Sequence, residues 1–145
     1  MVNQRVRSNI VFLVLIINTL LFFLKCDDKQ QYLPYVNVSY SISKVQLNHV
    51  GTLGHYIVEN EGLNGIILFR NAEDIWQAFE KTCTYNPDDH LCEVDIEDGS
   101  FFSVCPCCDS EFNLVNDGIP QVGPAELPMK QYQVREDNSR VYISN

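Results

Sequence analysis

The sequence predicts an all-β fold, a small antiparallel sandwich or partly closed barrel. Short apolar segments alternate with turn sequences throughout residues 35–145, and no segment keeps a sustained 3.6-residue period. With 145 residues, 46% of them hydrophobic, the chain has the composition of one ordinary globular domain, which argues against disorder. About nine short strands separated by frequent turns are typical of such a sandwich or barrel.

The first half of this region contains four predicted strands. Apolar and polar residues alternate from Val36 to Ile42, which predicts a half-buried strand. Segments 54–58 and 65–69 are short, apolar and bounded by turn sequences, and the second of them predicts a strand buried on both faces. Residues 75–79 are compatible with a strand or one helical turn, and we interpret them as a strand that leads into a cysteine.

The second half contains two predicted hairpins. Segments 93–96 and 100–104 flank a Glu-Asp-Gly turn at residues 97–99. Segments 130–134 and 140–143 flank a polar turn at residues 136–139.

The charge balance limits the partners of the protein. The chain has 19 acidic and 10 basic side chains, a formal charge of -9. Phosphate binding needs clustered lysine and arginine, so we expect no nucleic acid partner. The sequence has no glycine-rich phosphate loop and no Ser/His/Asp arrangement, which leaves nucleotide and hydrolytic chemistry without support.

Residues 1–25 predict a signal peptide. Arg5 and Arg7 precede an apolar run from Ile10 to Leu24. Its 15 residues fit the roughly 7–15 of a signal core and fall short of the about 20 that cross a membrane. The alternative is a short signal anchor, and both interpretations place the domain outside the cytoplasm, because the cationic flank stays inside.

The segment around Cys26 resembles the acylation site of bacterial lipoproteins, in particular exported lipoproteins of Bacteroidetes-type bacteria. In these proteins the cysteine carries the lipid, although Lys25 stands where they usually have a small residue. We therefore expect a lipidated Cys26 with a tether at residues 26–34, followed by a domain at residues 35–145. Removal of residues 1–25 takes away three bases and no acid, leaving 7 bases, 19 acids and a charge of -12. Such acidity argues against direct contact with an anionic membrane face and leaves the lipid as the expected anchor.

Five of the six cysteines lie within one 26-residue window, and they are Cys83, Cys92, Cys105, Cys107 and Cys108. An odd number cannot be consumed by intramolecular disulfides, so at least one thiol is free, ligating or paired with another molecule. Three motifs occur in order: Thr-Cys-Thr-Tyr at residues 82–85, Cys-Pro-Cys-Cys-Asp-Ser at residues 105–110, and Gly-Pro-Ala at residues 123–125.

These motifs resemble the Rieske iron-sulfur family. In that family a Cys-x-His loop and a Cys-Pro-x-His-Gly-Ser loop hold a 2Fe-2S cluster, and a proline loop covers it. The resemblance covers about residues 65–145 and implies a Rieske-like fold, with Gly123 and Pro124 in the proline loop. It implies that Cys83 and Cys105 are the two thiolate ligands of one iron. Tyr85 and Cys108 stand where the family has its two histidines, so both cluster histidines are replaced.

The resemblance also implies roles for neighbouring residues. In one branch of the family a disulfide joins the two loops, and Cys92 and Cys107 are the pair that matches it. Ser110 matches a residue whose hydroxyl bonds to a cluster sulfur, Asp109 replaces a glycine, and Phe112 lacks the phenol that some members use to tune the cluster.

Three arrangements of the cysteines remain open. In the first, Cys83, Cys105 and Cys108 are ligands, with Tyr85 or His90 as the fourth. In the second, Cys92 joins the three thiolates in a four-thiolate site that suits zinc or a single iron. In the third, the thiols form two disulfides, one remains free and no metal is bound, as an oxidising compartment permits.

We expect a membrane-anchored one-electron carrier with an atypical 2Fe-2S cluster, which serves a redox protein at the membrane and catalyses nothing itself. All-thiolate ligation would lower its potential relative to a histidine-ligated cluster. The alternative is a non-redox structural or binding module, stapled by zinc or disulfides. Export favours zinc, because the twin-arginine signal used to export folded proteins is absent at Arg5-Val6-Arg7. A thiol-disulfide exchanger is a weaker third alternative, because no helix is predicted to activate a thiol.

Overall fold

The structure, a computed structural model, describes residues 33–85 and 92–145. These residues form ten strands and one short 3-10 helix, Leu114–Asn116. The prediction of an all-β fold is confirmed. The strands are β1 (Ser39–Ser43), β2 (His55–Val58), β3 (Ile66–Arg70), β4 (Trp76–Glu80), β5 (Asp95–Ile96), β6 (Phe102–Val104), β7 (Glu111–Asn113), β8 (Ile119–Val122), β9 (Gln131–Glu136) and β10 (Arg140–Ser144).

The strands form two antiparallel sheets. The larger sheet has six strands in the order β1-β10-β9-β4-β3-β2 and curls into a half-barrel. The smaller sheet has four strands in the order β5-β6-β7-β8. Both predicted hairpins are present, because β5 pairs with β6 and β9 pairs with β10.

The connections of the small sheet contain the sequence motifs. The segment between β4 and β5 contains Cys83 and Cys92, and the connection from β6 to β7 contains the second cysteine motif. The connection from β8 to β9 contains the Gly-Pro-Ala motif. The small sheet therefore positions the second cysteine motif and the Gly-Pro-Ala motif, whereas the end of β4 positions the motif that contains Cys83.

Strand β3 separates two hydrophobic clusters. Ile66 and Leu68 face a cluster formed within the large sheet, whereas Ile67 and Phe69 face a cluster shared with the small sheet. All four side chains are fully buried, as the unbroken apolar run predicts. The second cluster includes Cys83, Cys92 and Cys105, so these sulfurs belong to the hydrophobic core.

The observed first strand, β1, begins later than the alternating pattern from Val36 to Ile42 predicts. It begins at Ser39, because the backbone before it bonds to a side chain at the other end of the chain. Val38 N donates to Asn145 Oδ1 over 2.6 Å, and Asn145 Nδ2 donates to Val36 O over 2.8 Å.

Several predictions fall on residues that the structure does not describe. The signal peptide, Cys26, most of the tether and His90 all lie outside residues 33–85 and 92–145. Within those two ranges, no helix has the length and apolarity that crossing a membrane requires.

Candidate metal centre

Three free thiols meet where the two cysteine loops converge. Cys83 follows β4, Cys105 follows β6, and Cys108 lies in the turn that leads to β7. The Cys83 and Cys108 sulfurs are 3.7 Å apart, and all three sulfurs lie within 4.8 Å of one another. Cys83 and Cys105 are buried, whereas Cys108 is half-buried. The structure thus brings together Cys83 and Cys105, which the Rieske resemblance implies as ligands, and Cys108, which stands at a histidine position of the same motif.

A disulfide between Cys92 and Cys107 joins the same two loops, with a Cα–Cα distance of 6.0 Å. It is the pair that the resemblance implies. Because its sulfur is bonded to Cys107, Cys92 is not available as a metal ligand, which argues against the four-thiolate arrangement. The arrangement with two disulfides is also not seen, since Cys83, Cys105 and Cys108 remain free in the described part of the chain.

The second loop is a compact turn built on its own backbone. The Cys105 carbonyl accepts hydrogen bonds from Cys108 N at 3.4 Å and from Asp109 N at 2.8 Å. Cys105 N donates to Ser110 O over 2.9 Å. Asp109 has a left-handed backbone with φ of 57°. Aspartate is among the residues that tolerate this region, which explains how it can stand where the Rieske motif has a glycine.

The proline loop is bonded to both cysteine loops. The buried Ser110 hydroxyl accepts a hydrogen bond from Ala125 N at 2.9 Å, and its oxygen lies 3.1 Å from the Cys108 sulfur. Thr84 Oγ1 donates to Leu127 O over 2.7 Å. Ser110 and Thr84 therefore connect the three loops around the thiols.

The remaining predicted site residues are placed as follows. Tyr85 lies near the thiols in sequence, but its side chain is 54% exposed. Phe112, in β7 after the second loop, is fully buried in the cluster that the two sheets share. Gly123 and Pro124 are exposed at the start of the proline loop.

Cys83 and Cys108 have different surroundings, and these shift the pKa values of the two thiols in opposite directions. Burial is the main cause that raises the pKa of Cys83 to about 12. The neighbouring Cys105 and Cys108 thiols raise it further, whereas a hydrogen bond from the Tyr85 backbone lowers it. Burial also opposes ionisation of Cys108, but hydrogen bonds from Ser110 and from the Cys105 and Cys83 thiols outweigh it, so its pKa lies below the ordinary value. Without metal, Cys108 is therefore a more acidic thiol than Cys83.

The donor set fits a soft, thiophilic metal and does not fit a histidine-ligated cluster. The only groups of three or more potential ligands in the described residues consist of cysteines. Metal–sulfur bonds of about 2.3 Å in a tetrahedral array place two thiolates about 3.8 Å apart. The 3.7 Å separation of the Cys83 and Cys108 sulfurs matches that spacing.

A buried carboxylate that the sequence analysis did not identify lies before the first loop. Glu80, at the end of β4, has no exposed surface. It accepts hydrogen bonds from Leu63 N at 2.9 Å, Asn64 N at 3.1 Å and Tyr132 Oη at 2.6 Å. It also accepts from Thr82 N at 3.1 Å and from Thr82 Oγ1 at 2.9 Å. Five donor groups thus hold the Glu80 carboxylate in place, and two of them belong to Thr82, the residue before Cys83.

The alternation of side chains along β4 indicates that Glu80 lies on the buried side of the strand. Trp76 and Ala78 face the cluster within the large sheet, and Glu80 has the same parity. Gly62, whose φ is +76°, lies directly against the Glu80 carboxylate, so a side chain at that position would collide with it.

Comparison with known proteins supports the fold only through structure. No family model and no curated protein matches the sequence. The fold is similar to that of the cyanobacterial plasma membrane Rieske protein from Synechocystis PCC 6803, with a TM-score of 0.56 and 22% identity over 77% of this chain and 100% of that one.

Two further solved structures are similar. The ferredoxin of carbazole 1,9a-dioxygenase from Nocardioides aromaticivorans IC177 has a TM-score of 0.51 and 17% identity over 76% of this chain and 98% of its own. A chain in the complex of reduced oxygenase and oxidized ferredoxin in carbazole 1,9a-dioxygenase has a TM-score of 0.52 and 19% identity, over 74% of this chain and 93% of that one. This chain therefore contains a domain with the Rieske-type fold.

Proposed function

We propose that this protein is an exported, lipid-anchored one-electron carrier whose iron-sulfur centre is held by thiolates on a Rieske-type fold. The observation that carries the proposal is the convergence of three free thiols, Cys83, Cys105 and Cys108, from two loops of this fold. The similar structures are named as a Rieske protein and as a ferredoxin, which supports electron transfer as the activity.

Each thiol contributes differently to the proposed centre. A bound 2Fe-2S cluster would supply a one-electron couple. Cys83 and Cys105 would hold it from the core side, where burial excludes water. Cys108, which is half-buried, would lie on the side from which a redox partner approaches. The fourth protein ligand is proposed as Tyr85 or His90.

Two opposing effects set the potential. Thiolate ligands in place of imidazoles add negative charge and lower it. The Ser110 hydroxyl, 3.1 Å from the Cys108 sulfur, would donate a hydrogen bond to the bound thiolate and raise it. We expect the charge to dominate, because the Cys108 thiolate replaces a neutral imidazole, whereas the Ser110 hydroxyl adds a single hydrogen bond to the same sulfur.

The proposed setting is the outer side of a bacterial membrane. The signal sequence at residues 1–25 and the cysteine at residue 26 support export and lipidation, and the partner would be a redox protein at that membrane. Radiolabelled palmitate should be incorporated into the wild type and not into Cys26→Ser. Equal labelling of both would refute the anchor.

A non-redox module is the second candidate. It is favoured by the 3.7 Å spacing of the Cys83 and Cys108 sulfurs, which suits one tetrahedral zinc ion. The Cys92–Cys107 disulfide already staples the two loops, so the fold has a stabilising link that needs no metal.

Metal analysis separates the two candidates. The full chain is purified without oxygen, and iron, zinc, acid-labile sulfide and the visible spectrum are measured together. Equal amounts of iron and sulfide with visible absorption would support the carrier. Zinc in a colourless protein would refute it in favour of the module, and so would the absence of any metal.

Variants test the assigned ligands. Cys108→Ser should lose most of the bound iron, whereas Cys92→Ser combined with Cys107→Ser should keep it. The Tyr85→His and Cys108→His double variant should shift the spectrum toward that of a histidine-ligated Rieske cluster. Unchanged iron content in Cys108→Ser would contradict the ligand assignment.

A further inference from the structure

The contact between the Cys83 and Cys108 sulfurs joins two different loops. The sulfurs are 3.7 Å apart, and a disulfide bond is about 2.05 Å long. An approach of about 1.7 Å would therefore bond them. To make this approach, the half-buried Cys108 side chain would give up its 3.1 Å contact with the Ser110 hydroxyl.

The existing disulfide holds these two thiols close together. Cys108 directly follows Cys107 in the chain, and Cys83 N donates to the carbonyl of Cys92 over 2.9 Å. The Cys92–Cys107 bridge therefore holds Cys108 through a peptide bond at one end and Cys83 through a backbone hydrogen bond at the other. Two reactive groups fixed in this way react as though at very high concentration, because little motional freedom is left to lose.

The three free thiols differ in their access to solvent. Cys105 is fully buried and Cys83 is 1% exposed, whereas Cys108 is half-buried. An oxidant in solution would reach Cys108 first. A small disulfide fits this access better than a protein disulfide, because a small molecule can reach a half-buried sulfur more easily than a second protein can.

We propose that Cys83 and Cys108 form a second, cross-loop disulfide when no metal is bound, with a low-molecular-weight disulfide as the oxidant. The modification would remove two of the three proposed ligands, so it would control whether the site can be loaded. Its role in regulation rests on the proposed function, but the formation of the bond does not.

The reaction proceeds by two exchanges. The Cys108 thiolate attacks one sulfur of the small disulfide, which forms a mixed disulfide and releases one small thiolate. The Cys83 sulfur then attacks Cys108 Sγ, and the proton of the buried Cys83 thiol passes to the small sulfur that leaves. That step forms the Cys83–Cys108 bond, breaks the mixed disulfide and releases the second small molecule as a thiol. Two cysteine thiols are oxidised, and one small disulfide is reduced to two thiols.

Cys105 is the competing partner for Cys108. Its backbone N–H donates to Ser110 O, and its carbonyl accepts from Cys108 N and Asp109 N, so it is fixed within the turn. A bond between Cys105 and Cys108 would also have to form inside that turn, whose hydrogen bonds fix both residues. We therefore expect Cys105 to remain reduced.

The test exposes the metal-free full chain to oxidised glutathione. Metal is removed with a chelator and without reductant, which keeps the Cys92–Cys107 bridge intact. Remaining thiols are alkylated after denaturation and located by peptide mass spectrometry. Cys83 and Cys108 should be recovered as one linked peptide pair, and Cys105 should be alkylated. Recovery of Cys105 in the link, a stable glutathione adduct at Cys108, or three alkylated thiols would overturn the proposal.

Matched variants make the result specific. Cys105→Ser should still form the link, whereas Cys108→Ser should leave Cys83 alkylated. Circular dichroism before oxidation shows whether each variant is folded, and Cys108→Ala replaces Cys108→Ser if the latter is not. Failure of Cys105→Ser to link Cys83 to Cys108 while folded would overturn the proposal.

Metal content distinguishes this proposal from the proposed function. If the purified protein contains no iron but still forms the link, the carrier is refuted and the disulfide stands. If it contains iron and sulfide but the metal-free form does not link, the disulfide alone is refuted.

Discussion

Tyr132→Phe tests the buried carboxylate beside the first cysteine loop. Tyr132 is buried, and its hydroxyl donates to Glu80 over 2.6 Å. Burial and the adjacent Glu80 raise the pKa of this tyrosine, so its hydroxyl remains a donor across the usual pH range. Phenylalanine keeps the ring and its packing and removes only the hydroxyl.

The expected loss follows from the type of hydrogen bond. A hydrogen bond to a charged group contributes about 1.5–3 kcal/mol to stability. Four other hydrogen bonds to Glu80, from Leu63, Asn64 and Thr82, remain in place, so the carboxylate is not left without partners. We therefore expect a loss of about 2 kcal/mol in the free energy of unfolding, which lowers the Tm by about 8 °C for a domain of this size.

Urea unfolding of the metal-free protein with its disulfide intact measures this loss. Tyr142→Phe is the matched control, because it removes a similar hydroxyl from an exposed position of β10, where it donates to Asp137 of the adjacent turn over 2.9 Å. Exposed hydrogen bonds compete with water, so the control should change stability little. Equal losses in the two variants, or no loss in Tyr132→Phe, would refute the reasoning.

Three other variants test separate features. The Cys92→Ala and Cys107→Ala double variant should lose about 3 kcal/mol, the value for a closed loop of about 15 residues, in urea unfolding; an unchanged midpoint would contradict a stabilising bridge. Gly62→Ala should lower the free energy of unfolding more than Gly99→Ala. Both glycines have a left-handed backbone, but only at residue 62 would a Cβ lie against a buried carboxylate, and similar unfolding midpoints would refute that contact. Ser110→Ala removes a hydrogen bond to the Cys108 thiolate, so the pKa of Cys108 should rise and its alkylation by iodoacetamide should shift to higher pH in the metal-free protein; an unchanged pH profile would count against this bond.

The parts of the fold that repeat a local pattern could be predicted from sequence. The apolar run at residues 65–69 became β3, whose two faces lie in two separate clusters. The convergence of the cysteine loops followed from the Rieske resemblance. Period and composition alone do not indicate which strands lie side by side, so they could not show that Cys83 and Cys108 are in contact.

Strand β8 shows why other elements were not predicted. It contains Pro120, which lacks a backbone N–H and argues against a strand. The structure accommodates this proline because β8 lies at the edge of the small sheet, where no other strand of residues 33–85 and 92–145 pairs with its outer side. Strand β7 has only three residues, too few to show an alternating pattern.

The donors around Glu80 could not be predicted from local sequence. Leu63, Asn64 and Tyr132 are 17, 16 and 52 positions away from it along the chain. The period-two pattern of β4 gives the side on which the carboxylate lies, but the number of donors there depends on the tertiary structure. A charged residue with the parity of buried apolar neighbours thus indicates a buried charge, but not the residues that bond to it.

The order of strands in the large sheet constrains the time course of folding. In the described residues, β1 lies at an edge and pairs only with β10, and Arg140 Nη2 donates to Ser41 O from 99 positions away. The first strand therefore has nothing to pair with until the last strand has been synthesised. Pairings of such long sequence separation form slowly, because a long loop must close before any contact compensates for the lost chain entropy. Both cysteine loops precede β10 in the chain, so all of their residues are present before the strand that pairs with β1 is available.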